Sequence, residues 1–392
     1  MKLIRRYTKL AFKNNQSYRM FILLKLLVVL SIITLISILI FTGCKFGQAE
    51  EEPGTSEPVG EEETGTEEVT EEEEAGDEVG GTEITGNINI LSGLEISDTV
   101  KDNRPMAFMV DNKIEARPQS GLYLADIIFE VVDEGGITRN VAIFSSNDAE
   151  IIGPMRSARI YYAEIARGFD PIYAFWGTYP EGYDAITIMD MDLLDGNCDN
   201  CGAPYANSGW REPSRNTIFE HTAFMSTDGI KEDALENGYS LEGGQSPLRF
   251  KKDAVDSEKG DVSDINIDFS NYDSYKVNFK YNANENNYLR YLAGLPHTDY
   301  ETGEQIAVNN VIVMITDIEV MDAVGHMAVR TTGTSDTGKA LFFMDGNVTE
   351  GTWERTSAFD PFEYRDNEGR IMLFNRGSTW VAMVQSTGRL TY

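Results

Sequence analysis

Short apolar runs punctuate the first half of the chain. "PMAFMV" (105–110), "ADIIFEVV" (125–132) and "RNVAIFSS" (139–146) are rich in β-branched and aromatic residues and predict strands, with "DEGG" (133–136) turning between the last two. "PIYAFWG" (171–177) predicts a fourth strand. "GPMRSARIYYAEIARGF" predicts a helix with Pro154 near its first turn, because Met155, Ala158, Tyr162, Ile165, Ala166 and Phe169 fall on one stripe at helical spacing. "TDGIKEDALENG" (227–238) predicts a capped helix ending at Gly238. This mixture predicts an α+β or α/β N-terminal domain over residues 84–250.

The polar, aperiodic stretch "FKKDAVDSEKGDVSD" (250–264) joins it to a second half with a different rhythm. Tyr275, Val277, Phe279 and Tyr281 alternate with polar residues, as in a half-buried strand, and "NVIVMITDIEV" (310–320) predicts a more buried one. "GKALFFMDGNVTEGTW" (338–353) predicts a hairpin turning at Asp345-Gly346-Asn347, and "EYRDNEGRIML" (363–373) repeats the pattern. Residues 263–392 are therefore expected to form a mostly antiparallel β domain.

The N-terminal end has another logic. Seven positive charges precede any acid, then Leu26 to Phe41 is uncharged and "FTGC" closes the run at Cys44. A basic region, an apolar region and small residues before a cysteine predict a lipoprotein signal peptide over 1–43, with Cys44 as the lipidated residue. The alternative is an uncleaved membrane anchor, since the uncharged run is about long enough to span a bilayer. Residues 44–83 carry 16 acids among Gly, Thr and Pro, and predict an extended acidic tether. The chain is thus expected on the outer face of the cell membrane, anchored through lipid on Cys44.

Charge sharpens this. The whole chain carries −31, and residues 84–392 alone carry −23, which argues against nucleic acid as a partner. Cys198 and Cys201, in "CDNC", predict a small disulfide loop outside the cytoplasm. Zinc would need more ligands than the nearby His221, and a redox pair should open a helix rather than sit in a loop. "DMDLLDGNCDN" (190–200) departs from the calcium-loop pattern at Leu194. No metal site and no cofactor is predicted.

Against this acidic background, Arg104 to Arg215 holds eight arginines and one lysine. Arginine is favoured over lysine where a planar fork must pair with carboxylate or phosphate while partly buried. Arg156 and Arg159, three apart, would face either an anionic ligand or the acids of "FEVVDEGG", Glu130, Asp133 and Glu134, with internal pairing favoured. Arg139, Arg156 and Arg159 are the candidate ligand contacts, with Asp111 and Asn112 at a strand end beside them. No nucleophile motif or zinc-protease signature occurs, and the scattered His221, His297 and His326 are read as structural. Trp176, Tyr179, Tyr183 and Trp210 could stack on sugars but are mostly expected in the core.

"RPMAFMVDNKIEARPQSGL", "ADIIFEVVDEGGITRNVAIF", "IGPMRSAR", "DGNVTEGTWERTS" and "GSTWVAMV" together resemble the YerB-like lipoprotein family, a domain of unknown function in N- and C-terminal parts. The resemblance covers about residues 95–390. It implies a lipid-anchored bacterial surface protein and supplies no reaction. Two stretches depart from the family pattern. "AFWGTYPEGYDAI" stands where a histidine and "GGS" are usual, and "REPSRNTIFEH" keeps its arginines but lacks a Pro-His-Asn. The expected function is a non-catalytic binding module with an arginine-lined cleft for an anionic group: a cell-wall polymer, a glycan or a partner carboxylate. One alternative is an envelope glycan or peptidoglycan hydrolase using carboxylates among Asp111, Glu130, Asp133 and Glu134. The other is a scaffold of a membrane complex.

Overall fold

The computed structural model describes residues 78–79, 83–96, 104–197, 202–216, 218–323, 325–334 and 336–392. The signal peptide over 1–43, lipidation at Cys44, most of the tether and the Cys198–Cys201 disulfide lie outside the described residues.

The fold is mostly β, with few helices and one large mixed sheet. In the N-terminal half the strands include β1 (Met106–Asp111), β2 (Ile127–Val132), β3 (Thr138–Phe144), β4 (Ile172–Phe175), β5 (Asp192–Asp195), β6 (Trp210–Arg211) and β7 (Ala223–Phe224). The helices are α1 (Ile160–Arg167), α2 (Pro180–Thr187) and α3 (Thr227–Glu236). The C-terminal half adds β8 (Asp264–Asp268), β9 (Lys276–Asn282), β10 (Asn287–Leu292), β11 (Asn310–Ile315), β12 (Ile318–Val320), β13 (Met327–Val329), β14 (Lys339–Met344), β15 (Asn347–Glu354), β16 (Glu363–Asp366), β17 (Ile371–Phe374) and β18 (Thr379–Val384).

The two halves share the sheet. Its order runs β17-β16-β15-β14-β11-β18-β2-β3-β1-β4-β5, so the last long strand of the chain lies between β11 and β2. β18 is parallel to both, in a register that sets Val381 opposite Ile312 and Phe129. The strands at this junction are buried on both faces, which is why β2 and β18 read as continuous apolar runs rather than alternating ones. Period-two geometry then sorts each strand. Ala107 and Met109 of β1 join the core under α1 and α2, whereas Met106, Phe108 and Val110 face a second core. That second core is closed by α3 and by the antiparallel sheet β8-β9-β10. Alternation in "YKVNFKY" is met by β9, with Val277 and Phe279 inward.

Two expectations need correction. The helix expected from Pro154 begins only at Ile160, with Arg159 as its cap residue. The backbone N–H groups before it are taken by extended partners: Ile152 by Met225, Met155 by Ala223 and Arg156 by Met109. Met155 consequently packs in the second core while Ala158, Tyr162, Ile165, Ala166 and Phe169 pack in the first, so the predicted stripe is split. The run 310–320 is also not one strand. It breaks after Ile315, where the Thr316 N–H bonds Val384 and its hydroxyl bonds the Arg330 carbonyl, and β12 leaves to pair with β13.

Candidate functional site

β1, β4 and β5 run parallel, and their carboxyl ends open at one edge of the large sheet. In mixed and parallel sheets this end is where loops free of pairing collect polar groups. Asp111 closes β1, Trp176 follows β4 and Asp195 closes β5. The extended segment 155–159 crosses these ends, held by the bonds from Arg156 N–H to Met109 and from Trp176 N–H to the Arg156 carbonyl.

The sequence-predicted residues converge here, and most of them meet one another. Arg139 on β3 is buried; its Nε lies 2.6 Å from Asp133, and its Nη1 donates to the Ser157 carbonyl at 2.9 Å. Burial alone would lower the Arg139 guanidinium, but Asp133, joined by Asp111 and Glu134, raises it. Arg159 grips Glu134 bidentately, at 2.6 and 3.0 Å. Burial of Glu134 is outweighed by the hydrogen bond from Arg159, which holds its carboxyl at about 2. Arg156 reaches Asp111 at 3.1 Å and Glu220 at 3.2 Å. Asp111, fully buried, also accepts from His221 Nδ1 at 2.9 Å. Burial would push its carboxyl up; the His221 bond and the charges of Arg156 and Arg139 instead keep it below the usual carboxylate range.

Asn112 points the other way, into a buried network that ties the two halves together. Its amide donates to Glu130 at 3.0 Å and to the Thr138 hydroxyl at 2.6 Å, and its side-chain oxygen accepts from Gln119 at 2.8 Å. Glu130 in turn pairs with Arg290 of β10 at 2.7 Å and accepts from Trp380 Nε1 at 3.2 Å. The Arg290 guanidinium lies 4.1 Å over the Trp380 ring. His297 bonds Gln119 at 2.8 Å and contacts Arg290; burial and the charges of Arg290 and Arg117 keep it well below the ordinary histidine value. His297, read from the sequence as structural, is buried in this network, whereas Arg290 and Trp380 went unnoticed as its partners, because the sequence has no local pattern to flag contacts so far away along the chain.

Asp111, Glu130, Asp133 and Glu134 are therefore each engaged with an arginine, and no two of them face one another across an open cavity as a glycosidase pair must. The hydrolase alternative built on these four carboxylates loses its acid and base.

Two surfaces remain open. Arg159, Tyr161, Tyr179, Met321, His326 and Met327 line a groove of about 430 Å³. Tyr179 and His326 stack with ring centroids 5.8 Å apart. On the other side of the 155–159 segment, β6 and β7 carry Arg211 beside Ala223, whose carbonyl also holds the Met155 N–H. There Arg211 stands 5.0 Å over the Trp176 ring and 4.0 Å over the Phe219 ring. The two stretches that depart from the family pattern thus meet at this stack.

Two family models cover most of the described chain. "Protein of unknown function (DUF3048) N-terminal domain" matches residues 91–240, and its C-terminal counterpart matches residues 265–381. The chain belongs to the DUF3048 family. A Bacillus subtilis (strain 168) member named "Putative lipoprotein YerB" is 32% identical over 297 residues, 75% of this chain and 85% of that protein. The crystal structure of the YerB protein from Bacillus subtilis superposes with a TM-score of 0.68 at 30% identity, covering 78% of this chain and 98% of that one. The family descriptions name a two-part architecture and no reaction.

Proposed function

We propose that this DUF3048 protein is a lipid-anchored, extracytoplasmic binding module that holds an anionic group of the cell envelope at the arginine face described above. Cys44 carries the anchor, the acidic tether lifts the globular part off the membrane, and no catalytic step is assigned. The observation that carries the reading is Arg156. It forms an ion pair with Asp111 at Nε and a hydrogen-bonded pair with Glu220 at Nη2, leaves Nη1 without a partner among the described residues, and keeps 20% of its side chain in solvent at the carboxyl ends of parallel strands. Arg159 is similarly placed at 17% exposure on the groove wall, whereas Arg139, at 5%, serves to position Asp133 and the 155–159 segment beneath them. Asp111 and Asn112 act from below, Asp111 by orienting Arg156 and Asn112 by joining the face to the Glu130 network.

The test uses the full-length protein with purified wall polymer, soluble glycan fragments and neutral sugars as probes. Binding of an acidic probe should fall as salt rises through the range where the Debye length shrinks below about 10 Å. It should be lost in Arg156→Ala, whose Asp111 still has His221 as a partner. Unchanged binding in a variant that melts at the wild-type temperature would sink the reading. For the anchor, Cys44→Ala should lose lipid, and a variant that still carries lipid would overturn that part.

A further inference from the structure

Seven of the eight arginines between Arg104 and Arg215 commit Nε, Nη2 or both to a protein acceptor. Arg211 does not. Its Nη1 donates to the Phe219 carbonyl at 2.7 Å and to the Thr222 hydroxyl at 3.2 Å, while among the described residues neither Nε nor Nη2 has a partner. No carboxylate of those residues pairs with it either, although it is half-buried in a strongly acidic protein.

The guanidinium is nonetheless fixed in place. It packs on both Trp176 and Phe219, and the two Nη1 bonds restrain its rotation. Trp176 is itself restrained by packing. A Cβ on Gly196 would come within 2.5 Å of the indole, so that loop is packed directly on the ring. Thr222 is also fixed, since its hydroxyl donates to the same Phe219 carbonyl at 2.7 Å. The result is a pre-organised Nε–Nη2 edge, the edge that accepts a carboxylate through two parallel bonds. Burial and, after it, the charge of nearby Arg156 depress the Arg211 guanidinium, so an anion there would relieve repulsion as well as fill the fork.

Beside the fork, Phe219 is 64% exposed although Arg211 covers one of its faces, so the other face is open to solvent. A flat aromatic face next to a single carboxylate fork suits a pyranose ring, whose C–H face packs on the aromatic ring. We infer that Arg211 and Phe219 form the seat for a carboxylated sugar, the acid gripped by the Nε–Nη2 edge of Arg211 and the ring lying on Phe219. This rests on the anion-binding reading and names the ligand class it would serve.

The experiment titrates the full-length protein with four probes: an oligomer of a hexuronic acid, its neutral hexose counterpart, an oligomer of glycerol phosphate, and a short peptide with a free C-terminus. The hexuronate oligomer should bind and the neutral oligomer should not. Arg211→Ala should weaken hexuronate binding by at least about tenfold, as expected for charge-assisted bonds. Arg211→Lys, which keeps the charge but not the fork, should fall nearly as far, and Phe219→Ala should cost several-fold. Circular dichroism melting of each variant guards against loss of fold. Phosphate or peptide binding that depends on Arg156, without hexuronate binding, would overturn the carboxylated-sugar seat and leave the anion-binding reading standing. Binding of no acidic probe would overturn both. Hexuronate binding unaffected by a folded Arg211→Ala would overturn the seat alone.

Discussion

Glu130 shows how much of this protein rests on single buried charges. The carboxylate is fully buried and serves four donors at once: Arg290, Trp380, Asn112 and Thr138. Removing one member of such a pair leaves the other charged in a medium that solvates it poorly, which costs about 3–5 kcal/mol. Arg290→Met should therefore lower the unfolding free energy by about that amount, read as a shift in urea midpoint at unchanged slope. The double variant Arg290→Met with Glu130→Leu should not recover wild-type stability. It removes the lone charge but strands Trp380 Nε1, the Asn112 amide and the Thr138 hydroxyl without their acceptor. Full recovery in the double variant would mean the carboxylate is not the acceptor those groups need.

At the scale of elements, a local signal succeeds where the partner is local. Ser226 precedes α3 in extended geometry, and its hydroxyl accepts from the Gly229 N–H at 3.0 Å. Ser226→Ala should cost about 1 kcal/mol, measurable by the same urea titration, and an effect near zero would mean solvent replaces the cap. That helix was legible to within a few residues because cap, period and terminal glycine all lie inside one stretch of sequence. The strands β1 to β4 and the two C-terminal hairpins were legible for the same reason, whereas β5, β6, β7 and α2 were not read from the sequence. The helix at Pro154 was misplaced because what stops it are the carbonyls of Met225, Ala223 and Met109, none of which its own sequence can announce. The arginine face was half legible. The excess of arginine over lysine pointed to Arg139, Arg156 and Arg159, and the nearby acids foretold Asp133 and Glu134 as partners. The Asp111–His221 contact and the Arg211 stack join residues far apart in the chain, and composition alone does not reveal them.

For the whole molecule, the consequence lies at the junction of β18 with β2. Sequence divides the chain at residues 250–263, and the family models divide it in the same interval, yet the large sheet runs through that division without a break. Cutting there would turn β2, buried along its full length, into a bare apolar edge strand. Such an edge is a template for aggregation unless charge or a covering element blunts it, and β2 has only Glu130 to offer. The cut would also part Glu130 from Arg290 and Trp380. Residues 84–262 produced alone should therefore be insoluble or lack a sharp melting transition. The same fragment co-expressed with residues 263–392 should yield a soluble heterodimer with dispersed amide resonances. If 84–262 alone gave a cooperative melt and native-like dispersion, the shared sheet would be an association of two finished domains. The expected outcome is the opposite, because the strands that meet at the junction have no solvent-facing side on which to stop.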